Sequence, residues 1–243
     1  MTLLALEAVS KRYVRGLHEI TVLREASLTV NAGDFVAVYG TRSGGKTTLM
    51  KVAAGLEAPD SGTVAFEGRD LSRLSTSQLA ELHRRRIGWV SRSGPASDEL
   101  TMVDYVGLPL LGLHGHRTVK RLALAAMARI GVEECSPARW SDLADAERMQ
   151  VTLSHGLVRE PSLLVLDDPT AGLDLIDRER VVALLRSLAD DDRIGVLMAV
   201  PDMPAMLHAH EVFTLSRGLL LGVPEPPPER GRVIDFPGGQ QTA

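Results

Sequence analysis

Nine residues, Gly40-Thr41-Arg42-Ser43-Gly44-Gly45-Lys46-Thr47-Thr48, have the composition and spacing of a loop that binds phosphate. Glycines let successive backbone N–H groups turn inward around phosphate oxygens, a following helix N-terminus adds a favourable dipole, and a lysine supplies a point charge. In the pattern G-x-x-x-x-G-K-T the threonine hydroxyl, here Thr47, is placed for a magnesium ion that bridges the phosphates. A second chemical group lies far downstream. Leu163-Leu164-Val165-Leu166 ends in Asp167-Asp168, so an apolar strand delivers two adjacent carboxylates at its exposed end. Asp167 is suited to help hold the metal. Together the two motifs predict a nucleoside triphosphate site.

Such a loop needs a strand before it and a helix after it, and the flanking sequence supplies both. Phe35-Val36-Ala37-Val38-Tyr39 reads as a buried strand, and the run from Lys46 to Ala54 reads as a helix stopped by Gly55. Upstream, residues 3–9 and 20–30 alternate apolar and polar, as expected of half-buried strands in an antiparallel layer, with Lys11-Arg12-Tyr13 in a polar link between them. Asn31-Ala32-Gly33-Asp34 and Pro59-Asp60-Ser61-Gly62 read as turns, and residues 63–68 as a further strand. Ser77 to Arg86 reads as a polar helix whose end, His83-Arg84-Arg85-Arg86, is a solvated basic cluster. Ile87-Gly88-Trp89-Val90 is a short strand, and residues 91–98 form a loop rich in helix breakers. From about 100 to 156 the pattern is helical, including a helix from Val119 to Ile130 stopped by Gly131. Strand signal resumes at 163–166, a helix spans about 177–189, and residues 194–200 form another strand. This alternation predicts an α/β fold, a nucleotide-binding core with a mostly parallel sheet, an N-terminal antiparallel β layer and an inserted α-helical subdomain. The predicted domain covers 1–222. Residues 223–243 hold Pro224-Glu225-Pro226-Pro227-Pro228 and read as an extended or flexible tail.

Bulk composition narrows the possibilities. The chain has 243 residues, 44% hydrophobic and 24% charged, which suits a globular protein of one large domain with an insertion. A net charge of −4 gives no bulk electrostatic reason to expect a nucleic-acid partner. Cys135 is the only cysteine, which excludes an intrachain disulfide and fits a reducing compartment. No apolar run approaches the roughly 18 residues of a membrane-spanning helix, so a membrane role is expected to come through a partner.

The order of Tyr13, the phosphate loop, a helical insertion and Leu166-Asp167-Asp168-Pro169-Thr170-Ala171-Gly172-Leu173-Asp174 resembles the ATP-binding subunit of ATP-binding cassette (ABC) transporters. The resemblance covers about residues 3–222. The wording at Ile87-Gly88-Trp89-Val90 and Leu108-Pro109-Leu110-Leu111 is most similar to the lipoprotein-release and macrolide-export type. This resemblance implies ATP and Mg2+ as cofactors, and Tyr13 as the aromatic that stacks on adenine. It implies Gly40, Ser43, Gly44, Gly45, Lys46, Thr47 and Thr48 as nucleotide contacts, and Thr47 and Asp167 as magnesium ligands. It also implies integral-membrane partner subunits, a second cassette closing head to tail, and a cytoplasmic location on the inner face of the cell membrane. Asp174 matches the aspartate of the family's dimer-contact loop.

Several positions depart from the family pattern. Ser43 replaces an additional glycine. The family's catalytic glutamate falls at Asp168, one methylene shorter, and a base must come within about 2.6–3.2 Å of the proton it takes. The histidine that contacts the terminal phosphate falls at Pro201, which has no donor. His208 and His210 lie too far along to replace it and read as ordinary surface or core histidines. The glutamine that senses the metal and the attacking water falls at Arg92, whose fixed charge suits contact with phosphate, with a membrane partner or with solvent. The signature Leu-Ser-Gly-Gly-Gln falls on Leu143-Ala144-Asp145-Ala146-Glu147, which lacks the hydroxyl and adds two carboxylates. Asp145 reads as a helix cap occupying the N–H groups that would hold phosphate. Retained binding residues with altered firing residues predict ATP binding with weak hydrolysis, in a heterodimer with an intact cassette in preference to a homodimer. The alternative is a non-catalytic nucleotide-binding scaffold or regulator.

Overall fold

The computed structural model describes residues 1–16, 18–200 and 207–223. Two sheets form its framework. The central one has six strands in the order β10-β9-β3-β8-β7-β6. These are β3 (Phe35–Gly40), β6 (Ile87–Ser91), β7 (Leu163–Asp167), β8 (Gly195–Val200), β9 (Glu211–Ser216) and β10 (Leu219–Val223). All neighbouring pairs are parallel except β9 and β10. The second sheet is antiparallel, in the order β2-β1-β4-β5, from β1 (Thr2–Arg15), β2 (His18–Asn31), β4 (Ser61–Phe66) and β5 (Arg69–Asp70). Among the described residues there are six α-helices: α1 (Lys46–Ala53), α2 (Thr76–Arg85), α3 (Met102–Gly107), α4 (His116–Ile130), α5 (Asp145–Leu157) and α6 (Leu175–Asp190). Among the described residues no helix is long and apolar enough to cross a membrane.

β3, β8 and the first four residues of β7 are apolar because both of their faces are covered. Alternation then divides each strand between two cores. Val36 and Val38 of β3, with Leu163 and Val165 of β7, pack with α1 and the antiparallel sheet. Phe35 and Ala37, with Leu164 and Leu166, face the other way and pack with α3 to α6. The helical stretch from α3 to α5 therefore shares one core with the sheet face instead of enclosing a core of its own. Local signals set the helix ends. Ser75 and Gln78 cap α2 reciprocally, Asp174 caps α6 by accepting from the Asp177 N–H at 2.8 Å, and Gly131 closes α4 at φ 77°.

The first strand is longer than its pattern suggests. β1 and β2 pair from Thr2↔Asn31 to Arg15↔His18, so Lys11, Arg12 and Tyr13 lie in the strand and not in a link. Bulges interrupt the register, and Ala8 (φ 49°) and Glu25 (φ 48°) take left-handed backbone, which breaks the simple alternation. The β9–β10 hairpin is a further addition to the expected elements. Pro201, its neighbours to 206, and the Pro-rich stretch from 224 onward lie outside the described residues.

Candidate functional site

The loop between β3 and α1 sits where the apolar strand leaves the sheet. Ser43 (φ 63°) and Gly45 (φ 101°) are both left-handed, which turns the backbone sharply into the helix. Glycine is required at 45, since a Cβ there would lie 2.8 Å from the Val22 carbonyl oxygen. Serine at 43 tolerates its conformation at some cost and keeps the loop's path. Lys46 is buried, and its ammonium donates to the carbonyls of Gly40 (2.7 Å) and Thr41 (3.1 Å). A buried ammonium needs partners, and these two carbonyls hold it at the mouth of the loop.

One contact joins the two sequence motifs. Thr47 Oγ1 donates to Asp167 Oδ1 at 3.0 Å, across 120 residues of sequence. The geometry also fits the magnesium these residues are expected to hold. Oxygen ligands at about 2.0–2.1 Å and right angles stand about 2.9 Å apart, and a hydroxyl beside a carboxylate is the hard donor set the ion prefers.

Two open clefts meet at this point. One, of about 970 Å3, is lined by Tyr13, Val14, Ile20, Val22, the loop from Arg42 to Thr48, and Asp167 and Asp168. Tyr13 stands on its rim, 37% exposed, with its hydroxyl donating to Glu57 at 2.6 Å and 3.4 Å from the Thr48 hydroxyl. Burial and that bond to Glu57 hold the phenol above its ordinary pKa. The ring is thus fixed beside the loop, on the edge of this cleft. Glu57, which fixes it, is not visible from motif spacing.

The other cleft, of about 610 Å3, runs from Thr47, Asp167 and Asp168 to Arg92, Trp140, Asp145 and Arg148. Asp168 begins the turn after β7 with φ 57°. The Ala171 N–H donates to the Asp168 carbonyl at 3.3 Å, and the Ala171 carbonyl accepts from Arg92 at 3.2 Å. Arg92 therefore braces the turn that carries Asp168. Trp140 was not marked by any motif. Its ring stands edge-on to Tyr105 at 6.2 Å, and the Arg148 guanidinium lies 5.7 Å from its centroid. A Cβ on Gly94 would fall 2.3 Å from the Trp140 ring, so the loop after β6 lies flush on the indole.

The start of α5 corrects the reading of Asp145. The cap position is Ala144, which has no acceptor, and Asp145 is the first helical residue. Its carboxylate pairs with Arg148 at 3.2 Å, while Glu147 reaches back to accept from the Ala144 N–H at 2.8 Å. The first-turn amides are therefore not taken by Asp145. What this face lacks is the hydroxyl and the glycine backbone of the motif it resembles. Ala146 is partly buried against the helical core. The histidines behave as expected: His208 contacts Glu179 at 2.7 Å, and His210 accepts from the Phe35 N–H at 2.8 Å.

Comparison with known proteins gives a consistent picture. The family model described as "ABC transporter" matches residues 23–171. The lipoprotein-releasing system ATP-binding protein LolD of Chromohalobacter salexigens is 30% identical over 220 residues, covering 90% of this chain and 92% of the relative. LolD of Shewanella denitrificans is 33% identical over 209 residues, covering 85% and 88%. The macrolide export ATP-binding/permease protein MacB of Syntrophobacter fumaroxidans is 31% identical over 246 residues, and this chain spans only 34% of its length. Among solved structures, a dimeric ATP-binding cassette in a post-hydrolysis state with ADP and Pi superposes with a TM-score of 0.82 at 24% identity, covering 89% of this chain and 95% of that one.

Proposed function

The chain belongs to the ABC transporter family as an ATP-binding subunit, and on that premise we propose that it binds MgATP but hydrolyses it slowly. Adenine lies against Tyr13, and the phosphates in the loop formed by Gly40, Ser43, Gly44, Gly45, Lys46, Thr47 and Thr48. Magnesium is held by Thr47 and Asp167. The observation that carries this reading is the 3.0 Å approach of Thr47 to Asp167, which assembles a metal pair from two distant motifs.

When bound, the metal neutralises charge on the phosphates. The chain's own residues then have to position and polarise a water. Asp168 holds a carboxylate at the right place in sequence but one methylene short, and a shortfall of about 1 Å can cost on the order of 100-fold. Arg92 offers donors where a water-orienting acceptor is needed, and it is already spent on the Ala171 carbonyl. The signature residues Ala144, Asp145, Ala146 and Glu147 present a charged first turn to a partner's phosphate. Asp174 lies at the same edge, in the position of a cassette–cassette contact. In a heterodimer these losses fall unevenly: this chain's loop meets an intact signature, and the partner's loop meets the altered one. The membrane permease it serves is a separate partner, which holds the chain at the inner face of the cell membrane. The domain that does this comprises residues 1–222, with the helical insertion at about 100–156.

The test is nucleotide binding beside steady-state turnover of the purified chain. Binding of a fluorescent ATP analogue that is lost in Lys46→Ala, with turnover near background, is expected. Robust turnover abolished by Asp168→Asn would overturn the impaired-site reading. A second reading, a regulatory scaffold that never fires, is favoured by the engagement of Arg92 with the turn at Ala171. In that case Lys46→Ala leaves transport by the assembled complex unchanged.

A further inference from the structure

Among the described residues lining the cleft around the phosphate loop, Tyr13 is the one aromatic. A side chain that must be stilled when a ligand arrives weakens binding by the entropy it loses. At Tyr13 that freedom is already removed. The phenol donates its proton to Glu57 at 2.6 Å, so in the 3.4 Å contact with Thr48 the threonine hydroxyl is the donor. Thr48 belongs to α1 and directly follows the residue that approaches Asp167. The ring is therefore tied both to the helix of the phosphate loop and to the segment after it.

Glu57 is itself held. Its N–H donates to the Lys51 carbonyl in α1 at 3.3 Å, and the Lys11 ammonium stands 3.5 Å from its carboxylate. The same ammonium donates to the Ala58 carbonyl at 2.7 Å and to Asp60 at 3.3 Å. Lys11 and Glu57 keep only 14% and 25% of their side-chain surfaces exposed, which stiffens the pair relative to one in open water. Two more bonds stitch β1 to this segment: the Asp60 N–H donates to the Ser10 carbonyl at 2.9 Å, and the Arg12 N–H to the Asp60 carboxylate at 2.7 Å. The Lys11 ammonium also lies over the Tyr13 ring, 5.8 Å from its centroid, within reach of a cation–π contact. That contact occupies one face of the ring and leaves the other for a base.

We propose that Lys11 and Glu57 are positioning residues that set the contribution of the base to nucleotide affinity, by holding the Tyr13 ring in fixed relation to the phosphate loop. This rests on the reading of Tyr13 as the residue on which adenine stacks. Neither Lys11 nor Glu57 lines the cleft, so both act through the ring and not on phosphate or metal. Their loss is felt only by a ligand that carries a base.

The experiment is calorimetric titration of the full chain with two ligands, MgATP and magnesium tripolyphosphate, the second of which fills the loop without a base. Glu57→Ala, Lys11→Met and Tyr13→Phe are each expected to weaken ATP by about 3- to 10-fold, the effect of leaving one side chain to be ordered, with tripolyphosphate unchanged. Tyr13→Phe keeps the stacking face and removes only the tether. Because Tyr13→Phe and Glu57→Ala break the same bond, the double variant should lose no more than either alone. Tyr13→Ala is the control: if it leaves ATP binding as in the wild type, the stacking reading falls and the proposal with it. If Tyr13→Ala weakens ATP while Glu57→Ala, Lys11→Met or Tyr13→Phe does not, the proposal alone is overturned. It is overturned as well if these variants weaken both ligands alike, or if the two losses add in the double variant. Tripolyphosphate binding reports the fold of each variant, and Tyr13→Phe, which deletes a single oxygen, decides the matter should a charge variant not fold.

Discussion

On the reading proposed above, a single methylene at Asp168 separates a carboxylate that can be seen in sequence from one that can reach a water. The backbone there is left-handed, at φ 57°, and the turn is held on its far side by Arg92 bonding the Ala171 carbonyl. A longer side chain on the same braced turn extends the carboxylate without moving the metal pair, because Thr47 and Asp167 belong to α1 and β7. Asp168→Glu is therefore expected to raise steady-state turnover by on the order of 10- to 100-fold, with nucleotide affinity unchanged. Phosphate release measured against analogue titration checks both halves. A fall in affinity would mean that the turn, and not the reach of the side chain, limits the site.

The elements differ in how plainly their sequences announce them. Phe35 to Thr48 is legible because burial on both faces makes the strand uniformly apolar, and the loop chemistry admits few other residues. Asp167 is legible for the same reason, as the first polar residue after four apolar ones. The contacts of Trp140 with Gly94 and Arg148 are not, because they join a loop, a 3-10 turn and a helix that no local pattern relates. β1 hides its length behind bulges. β9 and β10 hide in a run with weak alternation, although Arg217-Gly218, left-handed at φ 50° and 82° between apolar stretches, is the two-residue turn that betrays a hairpin. Asp145 misleads because its residue type favours a cap, while the helix starts one residue earlier.

Helix α5 also carries a titrating group. His155 stacks on Tyr105, with centroids 4.5 Å apart, and its Nδ1 donates to the Tyr105 carbonyl at 3.0 Å. Burial, aided by the Arg159 charge, holds the imidazole below its ordinary 6.5. The unfolded chain therefore takes up this proton first as pH falls, so stability present above pH 6.5 is lost as the pH drops below that value toward the depressed folded pKa. Thermal unfolding across this range should show a midpoint that declines on acidification. The decline should flatten in His155→Phe, which keeps the ring stack and removes the titration. Parallel curves for the two proteins would show that other groups carry the acid sensitivity.

Across the whole molecule, the features kept and lost divide along a line. On the proposed reading, the loop side holds Tyr13, Lys46, Thr47 and Asp167, while the side that faces a second cassette carries Ala144, Asp145 and Glu147. On the reading proposed above, two copies of this chain close poorly over MgATP. The chain with MgATP is expected to elute as a monomer, and the combined variant Ala144→Ser, Asp145→Gly, Ala146→Gly to shift toward a dimer when it also carries Asp168→Asn to slow turnover. Light scattering coupled to size exclusion distinguishes the two. A nucleotide-dependent dimer of the unmodified chain would sink the preference for an unlike partner.

The place of β3 in the sheet order has a consequence for how the protein is made. Its two neighbours are β8 and β9, which begin at Gly195 and Glu211, so the strand that ends in the phosphate loop has no hydrogen-bonded partner in the first 194 residues. Chain synthesis presents the loop early and completes its support late, after the 170 residues between Gly40 and Glu211 have been added. During that interval Phe35 to Tyr39 is an apolar strand with both edges open, the kind of segment that pairs with the wrong neighbour. The support of the loop is therefore a property of the finished fold, and the strand needs protection until β8 and β9 have been made.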